Sequence, residues 1–393
     1  MQALVDKYAG KLVEAGLAAQ GEPLVGGLDA DLVWNRSDPA TTELERLFER
    51  LNINSLLFAK PAEPYWLIVE FLARRADGAI YPNDCETRTM MHDLPVVSAF
   101  EAKRMGNALK NRKSVIVPGH GVVAWGTVSP EQAFIFFSSV CFACFAKFFS
   151  DYLADARAGR LSDEQRAVFD AAVPLLDPLP DAQATLMRSP FDSEEEVYRA
   201  VCEAGRLTVE HRLVDSFFGN VSYRYGDTLY ISQTGSSLDE LEGCIDPCPL
   251  DGSTCAGITA SSELTAHREV VVNTRNTAVL HGHPKFSVIL SMHCEKEDCP
   301  LRGQCHIKCE EPRFVEDVPI VPGEVGTGPH GLCNTLPPAM EGRRGVIVYG
   351  HGLFTVGRED FNAAFDSLLG IERRCREVYF ERLPENAAPA KSP

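Results

Sequence analysis

SSELTAHREVVVNTRNTAVLHGHP, residues 261–284, is the stretch from which the rest of the chain can be read. It opens with Ser261-Ser262-Glu263, sets His267 one helical turn beyond Glu263, and closes on a strand that carries His281-Gly282-His283-Pro284. Residues two apart on a strand share a face, so this spacing aims the imidazoles of His281 and His283 at one point. A third imidazole is available at His351, in Tyr349-Gly350-His351-Gly352, where the apolar run Val346-Ile347-Val348 ends. Three histidines leave an open position on a catalytic zinc-type ion, and Glu263 would stand beside it. The plainer reading is three unrelated histidines, two in a sheet and one in a Gly-rich turn.

Small polar residues flank this stretch. Gly219-Asn220-Val221-Ser222 and Thr234-Gly235 precede it at turns, and Ser261-Ser262 begin a helix. Free backbone N–H groups at such positions bind anions, although Ser-Ser-Glu is also an ordinary helix cap. Taken in order, the Gly-Asn-x-Ser turn, the Thr-Gly turn, Ser-Ser-Glu, His-x-His and the late His-Gly resemble the class II aldolase/adducin family over roughly residues 190 to 385. The family's Thr-Pro-x-Gly appears here as Ser232-Gln233-Thr234-Gly235.

The resemblance implies a three-layer α/β/α domain around a largely antiparallel sheet. It implies a divalent metal, zinc first, on His281, His283 and His351, and a substrate phosphate on Asn220, Thr234, Gly235, Ser261 and Ser262. Glu263 becomes the general acid/base. The implied reaction is cleavage or formation of a carbon–carbon bond in a small phosphorylated, sugar-like substrate through a metal-stabilised enediolate. Decarboxylation, epimerisation and dehydration use the same kind of site and stay open, as does a non-catalytic metal- or redox-sensing role. His267 either orients Glu263 or is a packed core histidine. The family's rings of four suggest a homo-oligomer, here a dimer closing a pseudo-tetrameric ring.

Further out, the chain repeats itself. Leu56-Leu57-Phe58-Ala59-Lys60-Pro61 aligns with Val279 to Pro284 at an offset of 223, Leu94 to Val97 with Val318 to Val321 at 224, and Ala108 to Gly126 with Ala339 to Gly357 at 231. The last pair has nine identities in nineteen positions. We read a tandem duplication: residues 1–155 are a degenerate copy, 156–193 a helical linker marked by Pro174, Pro178, Pro180 and Pro190, and 194–393 the catalytic copy. In the first copy the metal-binding pair has become Phe58 and Lys60, with only His120 retained. That copy is expected to be scaffold rather than a residual anion site.

Seven cysteines have no place in the family pattern. Cys244, Cys248 and Cys255 precede Ser261, and Cys294, Cys299, Cys305 and Cys309 follow the His-x-His strand. We expect both groups to converge on a second centre, structural zinc or iron–sulfur, with reduced thiols and a regulatory disulfide as the alternatives. Cys141 and Cys144 lie in an aromatic run and are expected in the core.

Composition bounds the rest. The 393 residues, 45% of them hydrophobic, suffice for two or three buried cores. A formal charge of −17 with no Lys/Arg cluster argues against nucleic acid and anionic membrane surfaces. The apolar run Ala133 to Ala146 is too short to span a bilayer and reads as a buried or interface helix, introduced by Ser129-Pro130-Glu131-Gln132. Thirteen cysteines without an export-type N-terminus point to the cytoplasm.

Overall fold

The computed structural model describes residues 1–178, 185–214, 217–253, 255–296 and 298–389. Pro180 of the expected connection lies outside the described residues. The chain forms two compact units, Met1–Asp177 with the tail from Leu383, and Pro178–Arg382.

The first unit runs α1 (Gln2–Glu14), β1 (Leu24–Leu28), β2 (Leu32–Trp34), α2 (Thr41–Arg50), β3 (Ser55–Ala59), α3 (Tyr65–Arg75), β4 (Ala79–Ile80), α4 (Cys85–Met91), β5 (Leu94–Pro95), α5 (Ala102–Leu109), β6 (Ser114–Val117), β7 (Gly121–Gly126), α6 (Pro130–Arg157) and α7 (Asp163–Ala172). Its main sheet has the order β2-β1-β3-β7-β6. Leu44 and Leu47 of α2 and Met105 and Leu109 of α5 form a core with Leu56, Val115 and Val123 on one face of that sheet. Residues 163–172, expected in a linker, are helical within this unit.

Helix α6 is longer than its apolar run because Lys147, the residue that ends the run, pairs with Asp151 one turn on. At 28 residues the whole helix meets the length and composition of a membrane span, although its apolar run alone does not; 78% of its most apolar stretch is buried, as expected of a buried helix. Its cap also differs from expectation. Ser129 makes no side-chain cap bond, while Gln132 reaches back to accept from the N–H groups of Thr127 and Val128 at 2.8 and 3.0 Å. Cys141 and Cys144 are fully buried, and burial pushes the Cys144 thiol up to about 12.

The second unit continues α8 (Glu194–Glu210), β8 (Asn220–Tyr225), β9 (Thr228–Ser232), β10 (Ile245–Pro249), α9 (Leu264–Asn273), β11 (Ala278–Gly282), α10 (Lys285–Met292), β12 (Arg313–Val315), β13 (Val318–Val321), α11 (Leu332–Met340), β14 (Gly345–Val348), β15 (Gly352–Gly357) and α12 (Asn362–Glu381). Its sheet is ordered β10-β9-β8-β11-β15-β14-β13-β12, antiparallel throughout except for the β13–β14 pair. Alternation along β11 decides what each face meets. Val279 joins Ala266 and Val270 of α9 and Leu336 of α11 on one side, whereas Gly282 lies against Leu368 of α12 on the other. The sheet is therefore sandwiched between helices, an α/β architecture.

The two sheets share strand order and register. Phe58 pairs with Val123 as His281 pairs with Phe354, Val115 with Val123 as Val346 with Phe354, and the parallel bridge of Val96 with Ile116 matches Ile320 with Ile347. These are the 223, 224 and 231 offsets read in the sequence.

Candidate metal centre and active site

Two segments of the second unit meet at one end of its sheet. Strand β11 presents His281, the chain just past it presents His283, and the β14–β15 turn presents His351. One nitrogen from each imidazole lies within 4.8 Å of those of the other two, and all three rings are buried. Two glycines make this approach feasible. A Cβ at Gly352 would stand 2.4 Å from the Gly282 carbonyl oxygen and 2.6 Å from His281 Cε1, and one at Gly219 (φ +93°) 2.5 Å from the His281 carbonyl oxygen.

Glu263 is the residue immediately before α9, and Ser261 Oγ accepts its N–H at 3.2 Å. Its carboxylate reaches His351 Nε2 at 3.0 Å and His281 Nε2 at 3.5 Å, and accepts from Asn220 Nδ2 at 2.7 Å. Asn220 is placed by register, opposite His281 across the β8–β11 pair. Burial pushes the Glu263 carboxyl up, but the imidazoles of His281 and His351 and the Asn220 amide outweigh it and hold it well below the usual carboxylate range. Burial, with His281 and His351 nearby, holds His283 neutral.

These residues fit a divalent cation on their own chemistry. His281 Nδ1 lies 3.2 Å from the Leu353 carbonyl oxygen, which can only accept, so Nδ1 donates there and Nε2 is the atom turned to the cluster. Nε2 faces His283 Nε2 at 3.0 Å in a buried site that also holds a carboxylate. Phe354 stacks on His281 at 3.9 Å and Phe218 on His283 at 5.3 Å, so both rings are clamped.

Of the positions expected to hold phosphate, four come together. Thr234 N donates to the Thr259 carbonyl and Ser261 N to the Ser232 carbonyl, which lays the Thr234-Gly235 turn beside Ser261-Ser262. Gly235 (φ +74°) borders open space and Ser262 is exposed, whereas the Thr234 hydroxyl is committed to the Ala260 carbonyl at 3.0 Å and Asn220 to Glu263. His267 is fully buried; its Nδ1 is 2.7 Å from Ser222 Oγ, and burial lowers its pKa to about 3.

The cysteine groups separate. Cys248 lies on β10, one edge strand of the sheet, and Cys244 and Cys255 flank that strand; Cys294 to Cys309 lead into β12, the opposite edge. All are free thiols, and among the described residues only the three histidines form a group close enough to share an ion. The expectation of one centre built from both groups is thereby corrected: spacing along the chain does not reveal which sheet edge a loop leaves from.

Glu372 escaped the sequence reading. It is buried on α12, where it accepts from Phe286 N, Ser287 N and Ser287 Oγ, each at 2.8 Å, and so caps α10 directly behind His283-Pro284. The available signal was a lone acid in the helical apolar stripe Phe365, Leu368, Cys375, Tyr379.

Residues 199–379 match the family model for the class II aldolase and adducin N-terminal domain. A methylthioribulose-1-phosphate dehydratase of Gluconobacter oxydans (strain 621H) is 26% identical over 178 residues, covering 42% of this chain and 83% of that protein. L-fuculose-1-phosphate aldolase from Thermus thermophilus is 25% identical, covering 50% of this chain and 100% of that one, with a TM-score of 0.40. A sugar-phosphate aldolase from Thermotoga maritima is 19% identical, covering 51% and 98%, with a TM-score of 0.34. The resemblance read from the motifs thus stands as a class II aldolase/adducin domain at residues 199–379.

Proposed function

We propose that the second unit is a metal-dependent lyase that cleaves, and in reverse forms, a carbon–carbon bond in a small phosphorylated sugar. The observation that carries this is the ionised Glu263 carboxylate set 3.0 and 3.5 Å from nitrogens of His351 and His281 in a buried pocket. A divalent ion, zinc in our reading, would be held by His281, His283 and His351 and would supply Lewis-acid polarisation of a substrate oxygen. Glu263 handles the proton. It removes the hydroxyl proton from the carbon that becomes an aldehyde, the electron pair of the broken bond passes toward the adjacent carbonyl, and Glu263 returns the proton to the carbon left behind. Asn220 holds the carboxylate in place throughout. The open side of Gly235 and the exposed Ser262 would take the phosphate, with Ser261 and Thr234 shaping that turn.

Dehydration is the second reading, favoured by the dehydratase relative. It needs the same carboxylate to remove a carbon-bound proton while a neighbouring hydroxyl leaves as water. The test is to incubate the purified protein with a ketose 1-phosphate and, separately, with methylthioribulose 1-phosphate. Aldehyde plus a three-carbon ketose phosphate supports cleavage, and loss of water supports dehydration. Glu263→Gln should lower either activity by about 10² to 10⁴ while metal content holds. A fully active Glu263→Gln protein would overturn the mechanism.

We further infer that the chain is a tandem duplication with a catalytic second copy and a scaffold first copy. The coincident registers support this, as do Phe58 and Lys60 at the positions of two ligands. A homodimer forming a ring of four domains extends this reading, and the thirteen free thiols support a cytoplasmic location.

A further inference from the structure

Residues 294–312 join α10 to β12 without helix or strand, and among the described residues of this loop none is buried. A loop of this length has to be held by something other than an apolar core. Its partly covered residues are Cys294, Cys299, Leu301, Cys305, His306 and Cys309; every other described position is exposed. The inside of the loop is thus chiefly its four cysteines, a residue type that is ordinarily deep in a core.

The loop closes on itself. Arg313, just past its end, donates to the carbonyls of Ser291 and His293, just before its start, at 2.7 and 2.5 Å. Inside it, Lys296 pairs with Glu311, and Arg302 donates to the Lys296 carbonyl. These ties set Lys296, between Cys294 and Cys299, beside Glu311, two residues past Cys309. The thiols form no disulfide.

We propose that Cys294, Cys299, Cys305 and Cys309 bind one zinc ion as a closed tetrahedral thiolate site. Four thiolates suit zinc or an iron–sulfur cluster, and a structural zinc site supplies the folding free energy that a segment without a core needs. Among the described residues these thiols do not already stand together as a metal-ligating group, so binding draws them inward. The site serves structure rather than chemistry. Its stem is tied to the turn carrying His351, since Gly350 N donates to Ser291 Oγ at 2.8 Å and the Arg313 guanidinium lies 5.5 Å from the Tyr349 ring centre.

This inference stands apart from the catalytic reading, and one set of measurements separates them. Full-length protein is loaded with zinc, and bound metal is measured in the wild type, in His283→Ala and in Cys299→Ser with Cys305→Ser. The cysteine double variant should lose one equivalent that His283→Ala retains. Cobalt-loaded protein should show a thiolate-to-cobalt charge-transfer band that survives His283→Ala and vanishes in the double variant. Because that variant could misfold, thiol reactivity in the wild type is the second measure: four thiols should react markedly faster after zinc is chelated. Unchanged zinc in the double variant, no thiolate band in the wild type, thiols indifferent to zinc, or acid-labile sulfide in place of zinc would each overturn the proposal.

Discussion

Replacing Glu372 tests whether the helix behind His283 is held by one buried carboxylate. In Glu372→Ala the N–H groups of Phe286 and Ser287 lose their acceptor in a buried place; the Ser287 hydroxyl can rotate, but the amides cannot. An unsatisfied buried donor costs about 1–3 kcal/mol, so two of them cost about 2–6 kcal/mol, a large share of ordinary domain stability. Glu372→Gln is the finer perturbation. The carboxylate gives Oε1 to Phe286 and Oε2 to Ser287, and a glutamine keeps one oxygen, so its NH₂ must face one of the two donors. One orphan, about 1–3 kcal/mol, is expected. Stability should fall in the order wild type, Gln, Ala in urea unfolding. Hydrogen exchange of the peptide spanning 285–292 should accelerate in the same order, and metal should be held less tightly because this helix starts two residues after His283. An alanine variant within about 1 kcal/mol of the wild type, with unchanged exchange, would refute the reasoning.

Three further outcomes are expected. His283→Ala should lose metal and turnover together, because two imidazoles make a poor divalent site. Lys60→Ala, at the matching position of the first unit, should change neither, as read by metal content and steady-state rate. Asp84, fully buried at the start of α4, has its carboxyl pushed up by burial from 3.8 to about 6. The unfolded chain therefore ionises first as pH rises, and stability falls between about pH 4 and pH 6 by about 3 kcal/mol. Asp84→Asn, which can still cap the Thr87 N–H, should flatten that slope and be the more stable protein at pH 7 in denaturant titrations; an unchanged slope would remove the assignment.

The histidine site was legible because its geometry is local: two residues apart on a strand, with glycines where the backbone must come close. Glu263 was legible only through motif order, since a glutamate at a helix start is usually just a favourable charge. Strand β8 starts at Asn220, three residues later than its apolar pattern begins, because Gly219 turns at φ +93°. The cysteine loops misled for a topological reason. Both border the His-bearing stretch in sequence, yet the sheet order carries one to the β10 edge and the other to the β12 edge. The length of α6 was hidden by Lys147, which reads as a stop until its pairing with Asp151 is seen.

The apolar substitution at the end of the first sheet has a thermodynamic consequence. Where Asn220 and His281 face each other in the second unit, Leu24 and Phe58 do so in the first, and Phe58 packs on Phe100 at 4.8 Å. If the second unit takes a cation at its buried histidines as proposed, the matching place in the first unit, being apolar, has no such demand. Free metal at a hundredfold excess over its dissociation constant adds about 2.7 kcal/mol to a state that binds it, and scarcity withdraws that stabilisation. In a calorimetric scan a chelator should lower the melting of the second unit alone, leaving the first as the half whose folding is indifferent to metal supply.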